Sequence, residues 1–213
     1  MATYKGIKGF KVQSLASDPP AETSLGQMWY NTTSAALKYS IEGSGAWASG
    51  TPFNTGRAQM GCAGDTSTAV IFGGDTGGPA PALCEAWNGT AWTETTNLPT
   101  AAFRATGLGT STAAVSVGGT PSPTVGVQAN KWDGTSWSVT GSLNNSRGSM
   151  GSAGTATAGM AFGGGDYSTE TEEFDGTSWT EVADLNMARH AGASTTKGTQ
   201  TAAMYSGGST GPS

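Results

Sequence analysis

The sequence predicts an all-β fold made of about four four-stranded antiparallel units. Glycine accounts for 34 of the 213 residues and only 12% are charged, a composition that cannot fill long helices. The glycines lack a collagen period, and seven Trp, six Phe and five Tyr supply apolar side chains for a core. Short apolar runs between clusters of Gly, Ser and Thr recur at a fixed interval, as the strands of a repeated unit do.

Two markers define the repeated unit. Four glycine doublets recur in phase, at separations of 45, 45 and 44 residues. An aromatic residue followed by Asn/Asp-Gly-Thr-x-Trp occurs three times, at separations of 45 and 42 residues, and this period is typical of a propeller blade. The doublets are Gly73-Gly74, Gly118-Gly119, Gly163-Gly164 and Gly207-Gly208, and the second markers end at Trp92, Trp137 and Trp179.

Each unit is expected to contain four strands. The first follows an arginine, and the second is an apolar run such as Ala113–Val117 that ends at the doublet. The third ends at an Asn/Asp-Gly pair, for which we predict a type I′ turn because both residues tolerate positive φ. The fourth begins at the Trp. The arginines lie ten to twelve residues after a Trp and are Arg57, Arg104, Arg147 and Arg189; the turn pairs are Asn88-Gly89, Asp133-Gly134 and Asp175-Gly176.

The segment before the repeat has two predicted parts. Residues 1–25 contain Pro19-Pro20 and are expected to form an extended arm for attachment. Residues 26–56 are expected to form short strands at 28–31, 36–40 and 45–48, the last two resembling the third and fourth strands of a unit. Residues 57–213 carry the repeats, and the last unit has only its first two strands. Either the N-terminal strands close it, or the natural chain continues with more units.

The order Arg, apolar strand, Gly-Gly and Asp-Gly-Thr-x-Trp over residues 57–208 resembles the kelch repeat, although Asp-Gly-Thr-Ser-Trp replaces a longer tyrosine-containing segment. The resemblance implies a kelch-like β-propeller of about four blades preceded by an extended N-terminal arm. In kelch-like propellers the Trp and Gly-Gly positions are packing devices between blades. The same role is therefore expected for the three Trp and four doublets given above.

A second resemblance concerns the N-terminal segment. Gly26-Gln27-Met28-Trp29-Tyr30-Asn31-Thr32-Thr33, with Leu37-Lys38-Tyr39 and Trp47, resembles a segment of bacteriophage structural and tail-fibre proteins. The kelch-like array of this chain, which is rich in Gly, Thr and Ser, also resembles the arrays of phages of marine bacteria and cyanobacteria. These resemblances imply a virion protein, present in several copies or as a homo-oligomer. Its arm would bind other virion proteins, and its propeller would contact a host surface glycan.

Several other functions are disfavoured by the residues. A net charge of −5 argues against a nucleic-acid partner, and no apolar run reaches the length of a membrane span. Cys62 and Cys84 are expected to be buried, inert thiols. His190 is the only histidine, too few for the two-histidine copper site of galactose-oxidase-type propellers. We therefore expect no enzyme activity, cofactor or metal.

The sequence allows two interpretations for each of two residue clusters. Glu170 and Glu172 alternate along one strand, and a solvated edge strand is favoured over a glycosidase pair or calcium site. The four repeat arginines are expected to tie blades together through carbonyls or acidic neighbours, with a ring that binds an acidic host glycan or phosphate as the alternative.

The sequence therefore predicts a non-enzymatic phage structural and interaction protein, a tail fibre or surface appendage, with host recognition as an added role. The alternative is a free-standing carbohydrate- or protein-binding kelch propeller of the bacterial adhesin type.

Overall fold

The computed structural model describes residues 13–17, 28–39, 49–119, 126–165, 167–195 and 198–211. These ranges contain 17 strands and no helix, which confirms the all-β prediction. The chain divides into two compact units, Met1–Gly50 and Thr51–Ser213. Pro19-Pro20, most of the predicted arm and the predicted strand at 45–48 with Trp47 lie outside the described residues.

The first unit contains a three-stranded sheet with the order β1-β2-β3, formed by β1 (Gln13–Leu15), β2 (Met28–Asn31) and β3 (Ala36–Tyr39). β1 runs parallel to β2, and β3 runs antiparallel to β2. Three residues of the segment predicted as an extended arm, Gln13–Leu15, thus form a strand. The Asn31 side-chain oxygen accepts hydrogen bonds from the N–H groups of Thr33 (3.0 Å) and Ser34 (2.9 Å), which fixes the β2–β3 turn.

The second unit contains three four-stranded antiparallel sheets, as predicted, in which sequence neighbours are also sheet neighbours. The first sheet has β4 (Gly61–Gly64), β5 (Ala69–Phe72), β6 (Cys84–Trp87) and β7 (Trp92–Thr95). The second has β8 (Thr106–Thr110), β9 (Ala113–Val117), β10 (Ala129–Trp132) and β11 (Trp137–Thr140). The third has β12 (Gly151–Thr155), β13 (Ala158–Phe162), β14 (Thr171–Phe174) and β15 (Trp179–Glu181).

A final pair of strands, β16 (Ala193–Ser194) and β17 (Tyr205–Ser206), forms a two-stranded antiparallel sheet. We refer to it, with the residues from Asn186 to Gly208 around it, as the fourth repeat. Its two strands correspond to the first two strands of each complete sheet.

The turns between third and fourth strands differ from the prediction. Positive φ occurs at Gly89, Gly134 and Gly176, but among the described residues not at the Asn or Asp before each glycine, so type I′ is wrong. Instead the Asx side chain organises the turn. The Asp133 carboxylate accepts the N–H groups of Thr135 and Ser136, both at 2.8 Å. A turn closed by a side chain does not need positive φ at its first residue.

The hydrophobic cores lie between consecutive sheets. One core joins Val70, Phe72, Cys84 and Leu98 of the first sheet and its following loop to Trp137 and other residues of the second. The next core repeats this arrangement, with Val115, Val117, Ala129 and Leu143 packed with Trp179. The first and second sheets thus each bury one face against the sheet that follows, as the alternation of side chains along strands allows.

Candidate functional site

The glycine doublets connect each repeat to the next. The N–H groups of Gly74, Gly119 and Gly164 donate to the carbonyls of Ala102, Arg147 and Arg189, each at 2.9 Å. All four doublets have positive φ at both glycines. At Gly118 a Cβ would lie 2.3 Å from the Arg147 carbonyl oxygen, so only glycine fits this contact.

These contacts also show which residues are equivalent. Ala102, Arg147 and Arg189 each accept from the doublet of the preceding repeat, so they occupy one position. Arg104 stands two residues later. Its equivalents are Gln59, Ser149 and Ala191, which also have positive φ. The twelve-residue distance from Trp92 to Arg104, against ten at the other repeats, is the sequence signal of this displacement.

Arg57 and Arg147 form buried ion pairs within their own repeats. Arg57 Nη2 lies 2.7 Å from Glu85 Oε1, and Arg147 Nη2 lies 2.5 Å from Glu172 Oε1. The four side chains are at most 3% exposed. Each guanidinium also donates to a backbone carbonyl, that of Leu83 or of Glu170.

The preceding loop completes each carboxylate site. Glu85 accepts the backbone N–H of Asn54 at 2.8 Å, and Glu172 accepts that of Asn144 at 2.9 Å. Both sites therefore follow one pattern, Asn-x-x-Arg followed by a Glu on the third strand. Charged hydrogen bonds of this kind offset the large desolvation penalty of burying a carboxylate.

The buried Glu172 corrects the sequence interpretation of this cluster. β14 lies between β13 and β15, so it is not an edge strand, and Glu172 is 1% exposed. Glu170 contacts the same arginine, with Oε2 3.3 Å from Arg147 Nε. The charge pattern of the strand could not reveal this, because the compensating cation is contributed by a loop 25 residues earlier.

The second repeat replaces all three members of the pattern. Ala102 stands at the arginine position, Asn130 at the glutamate position and Pro99, which has no N–H, at the asparagine position. A buried Arg without its Glu, or the reverse, would leave an uncompensated charge. The three positions therefore change together within a single chain, which identifies them as one structural device.

The fourth repeat has an incomplete version of the same device. Asn186 and Arg189 are present, and Arg189 Nη1 donates to the Gly207 carbonyl at 3.0 Å, as Arg147 Nη1 does to that of Gly163. Within the described part of the chain, no carboxylate pairs with Arg189. Arg189 itself is half-buried.

Arg104 takes part in a series of backbone hydrogen bonds that joins the repeats. Its N–H donates to the Gln59 carbonyl, and its own carbonyl accepts from Ser149, both at 2.8 Å. Ala191 N–H continues the series by donating to Ser149 O at 2.9 Å. The exposed Arg104 side chain contacts Gln59 Oε1 at 2.9 Å. The four repeat arginines thus have three different environments.

Trp137 and Trp179 lie in the cores between sheets, whereas Trp92 begins the fourth strand of the first sheet. Trp137 is 8% and Trp179 6% exposed, and Trp92 is half-buried. Trp137 packs edge to face on Phe72 of the preceding sheet, with ring centroids 5.1 Å apart. Trp92 packs in the same manner on Phe53, at 4.9 Å.

The remaining sequence candidates have ordinary packing roles. Burial raises the pKa of the Cys84 thiol to about 11, whereas Cys62 is exposed rather than buried as expected. His190 stacks edge to face with Tyr167 at 4.6 Å. Across the described ranges, no three His, Cys, Asp or Glu side chains are placed to hold a metal ion, and no helix could cross a membrane. Neither a protein-family model nor a curated protein matches the chain.

Proposed function

We propose that the chain is a non-enzymatic structural and interaction protein of a bacteriophage particle, a tail fibre or surface appendage. Its four-stranded sheets are the blades of a kelch-like β-propeller, and residues 1–25 attach it to other virion proteins. The exposed loops contribute to recognition of the host surface.

A scaffold role is supported most strongly by the contacts that the repeated residues make. The glycine doublets, the marker Trp residues and two of the arginines all serve contacts that hold strands and consecutive sheets together. In such an array each repeat is fixed by its neighbours, and the loops are free to vary. This arrangement suits a protein whose variable loops contact a partner, rather than an enzyme that brings reactive groups together.

The assignment to a phage particle rests on the N-terminal resemblance. Its residues have specific structural roles: Trp29 is buried, Asn31 fixes the β2–β3 turn, and Thr33 Oγ1 donates to the Ala16 carbonyl. Tyr30 is 39% exposed on the same strand and offers an aromatic contact to a neighbouring virion protein.

Immunogold electron microscopy on lysates of the producing culture tests the proposal. Antibodies raised against the second unit should label virus particles at a fixed location on the tail or surface. Label on bacterial cell surfaces, with unlabelled particles, would instead support the adhesin alternative. Host recognition is tested separately, because purified protein should compete with particles for adsorption to host cells.

A further inference from the structure

The first sheet contains the only Asn-Gly pair of the chain, Asn88-Gly89. The pair forms the turn between β6 and β7, and both residues are exposed. Asparagine is a thermolabile residue, and a following glycine makes it more so, because the attacking backbone nitrogen has no neighbouring Cβ to hinder it. The pair is therefore chemically reactive as well as suited to a turn.

Hydrogen bonds hold the Asn88 side chain over the Gly89 peptide. Asn88 Oδ1 accepts the N–H groups of Thr90 and Ala91, both at 2.9 Å. Because both donors come after Gly89, each bond closes a ring that contains the Gly89 nitrogen. Within the described residues, the Gly89 N–H donates to no acceptor. The attacking group is thus free, and the carbonyl that it attacks is held within the same small ring.

The two N–H groups also favour the reaction. Attack of the Gly89 nitrogen on Asn88 Cγ places negative charge on Oδ1, which already accepts both of these donors. Donors that are in place before the charge develops stabilise the tetrahedral intermediate, as in an oxyanion hole. The turn therefore promotes loss of the amide instead of protecting it.

The equivalent turns of the second and third sheets have the same hydrogen bonds but a different side chain. Asp133 and Asp175 accept the N–H groups two and three positions later, at 2.8 Å. These bonds lower the pKa of both carboxyls, so both are ionised at neutral pH. A carboxylate is a poor electrophile, which makes these two turns resistant to the same attack. They also show that the turn accommodates an aspartate, the product of deamidation.

We propose that Asn88 is a site of spontaneous deamidation in the folded protein. The Gly89 nitrogen loses its proton to solvent and bonds to Asn88 Cγ, and the Cγ–Nδ2 bond breaks with release of ammonia. Water then opens the succinimide ring. Cleavage of the bond between Cγ and the nitrogen gives aspartate, and cleavage of the other ring C–N bond gives isoaspartate. The proposal does not depend on the assignment to a phage particle.

The fold directs the second step toward aspartate. The N–H groups of Thr90 and Ala91 polarise the Cγ carbonyl of the ring, so water adds there. Aspartate keeps the two hydrogen bonds that Asp133 and Asp175 make in their own turns. Isoaspartate would instead add a methylene to the main chain and disturb the pairing of Trp87 with Trp92 across the turn.

Peptide mapping by mass spectrometry measures the reaction in the full chain during incubation in mildly alkaline buffer. Asn145 is the internal comparison, because it is exposed, precedes Ser146 and donates its amide to Glu170. We expect Asn88 to convert at least about tenfold faster than Asn145, which lacks the following glycine and the two donors. The rate should rise with pH, because the attacking nitrogen must lose its proton.

Two variants provide matched controls. D133N places an Asn-Gly pair in the equivalent turn of the second sheet, so position 133 should convert to aspartate at a rate within about tenfold of that at position 88. N88D removes the reactive amide and is the reference for the product. Incubated wild-type protein should acquire the charge and the ion-exchange retention of N88D. Circular-dichroism melts check that both variants are folded.

The same incubation in urea isolates the effect of the turn. The unfolded chain keeps the Asn-Gly pair but loses the hydrogen bonds to Oδ1. The ratio of aspartate to isoaspartate, measured with an isoaspartyl methyltransferase, should be about tenfold higher in the folded protein, because a hydrogen bond to a charged group contributes that much.

Three outcomes would overturn the proposal: no conversion at Asn88 in the folded protein, equal rates at Asn88 and Asn145, or a D133N variant that stays unconverted. A product ratio that is unchanged by urea would show that the N–H groups of Thr90 and Ala91 do not direct the reaction, which would overturn its second step.

Discussion

Arg147 and Glu172 are almost completely shielded from water, so each makes the burial of the other tolerable. Removing one charge leaves the second buried and unpaired, which typically costs about 3–5 kcal/mol. We therefore expect R147A to lower the free energy of unfolding by that amount in a urea titration. R104Q should change it by less than about 0.5 kcal/mol, as surface substitutions do.

The second repeat suggests how this loss can be reduced. Ala102 and Asn130 stand there in place of Arg and Glu. The double variant R147A/E172N should therefore be less destabilised than the sum of its single variants, with a coupling of about 1–3 kcal/mol in a double-mutant cycle. Strict additivity would contradict the view that these positions act as one device.

Asp133 and Asp175 make the turns sensitive to acid. The N–H groups of the residues two and three positions later, above all Ser136 and Ser178, hold the pKa of each carboxyl below its ordinary value. Because the folded pKa is lowered, the stabilisation is fully present above about pH 4 and is lost as the pH falls through the folded pKa. Carboxyl NMR titrations should show both low pKa values, and D133N should flatten the acid limb of the stability profile.

The sequence predicted which residues are equivalent between repeats better than it predicted their contacts. The repeat period placed Arg57, Arg147 and Arg189 at equivalent positions, but it also included Arg104. Arg104 lies two residues beyond that position, where its N–H donates to the Gln59 carbonyl. The burial of Glu172 depends on a side chain from a distant loop, and strand alternation alone contains no information about that partner.

At the scale of elements, the doublet glycines allow a matched test. Gly118 and Gly207 have φ values of 61° and 66°, but a Cβ at Gly118 would meet Arg147 O at 2.3 Å, and a Cβ at Gly207 would meet nothing within 4 Å. Gly207→Ala should cost about 1–2 kcal/mol from the left-handed backbone alone. Gly118→Ala should cost clearly more in the same urea titration, and equal losses would show that the contact is unimportant.

Trp137 tests the packing between elements. Its ring fills the core between the first and second sheets, so Trp137→Ala should cost about 3–5 kcal/mol through the cavity it leaves. Trp92 stands at the same repeat position but is half-buried, and Trp92→Ala should cost less. A loss below about 1 kcal/mol for Trp137→Ala would place that ring outside the core.

The strands were predictable because two markers in phase fix where each one starts or ends. Ala113–Val117 forms β9 as expected, and each marker Trp begins a fourth strand. The turn type was not predictable from the Asp-Gly pair, because the same residues suit both a positive-φ turn and one closed by the Asp side chain. The outcome depends on the N–H groups of Thr135 and Ser136, which the dipeptide does not specify.

At the scale of the molecule, each repeat of the second unit is stabilised mainly by the repeats beside it. The second sheet has packed cores on both faces, and most residues of β9 and β10 are buried. β16 and β17 are short and partly exposed, and a cleft of about 350 Å³ lies between their repeat and the third sheet. When each repeat contacts only its neighbours, stability is approximately the sum of repeat and interface terms, so it should be lowest in this fourth repeat.

Hydrogen exchange followed by mass spectrometry should reveal that difference. Amides of the second sheet are expected to exchange slowest, because opening them disrupts two interfaces, and those of β16 and β17 fastest, because they lose one partly formed interface. Gly118→Ala weakens the contact between the second and third sheets, so it should speed exchange in both sheets more than in the first. Uniform acceleration across all sheets would mean that the unit opens as one cooperative body. It would contradict the hypothesis that each interface contributes independently to stability.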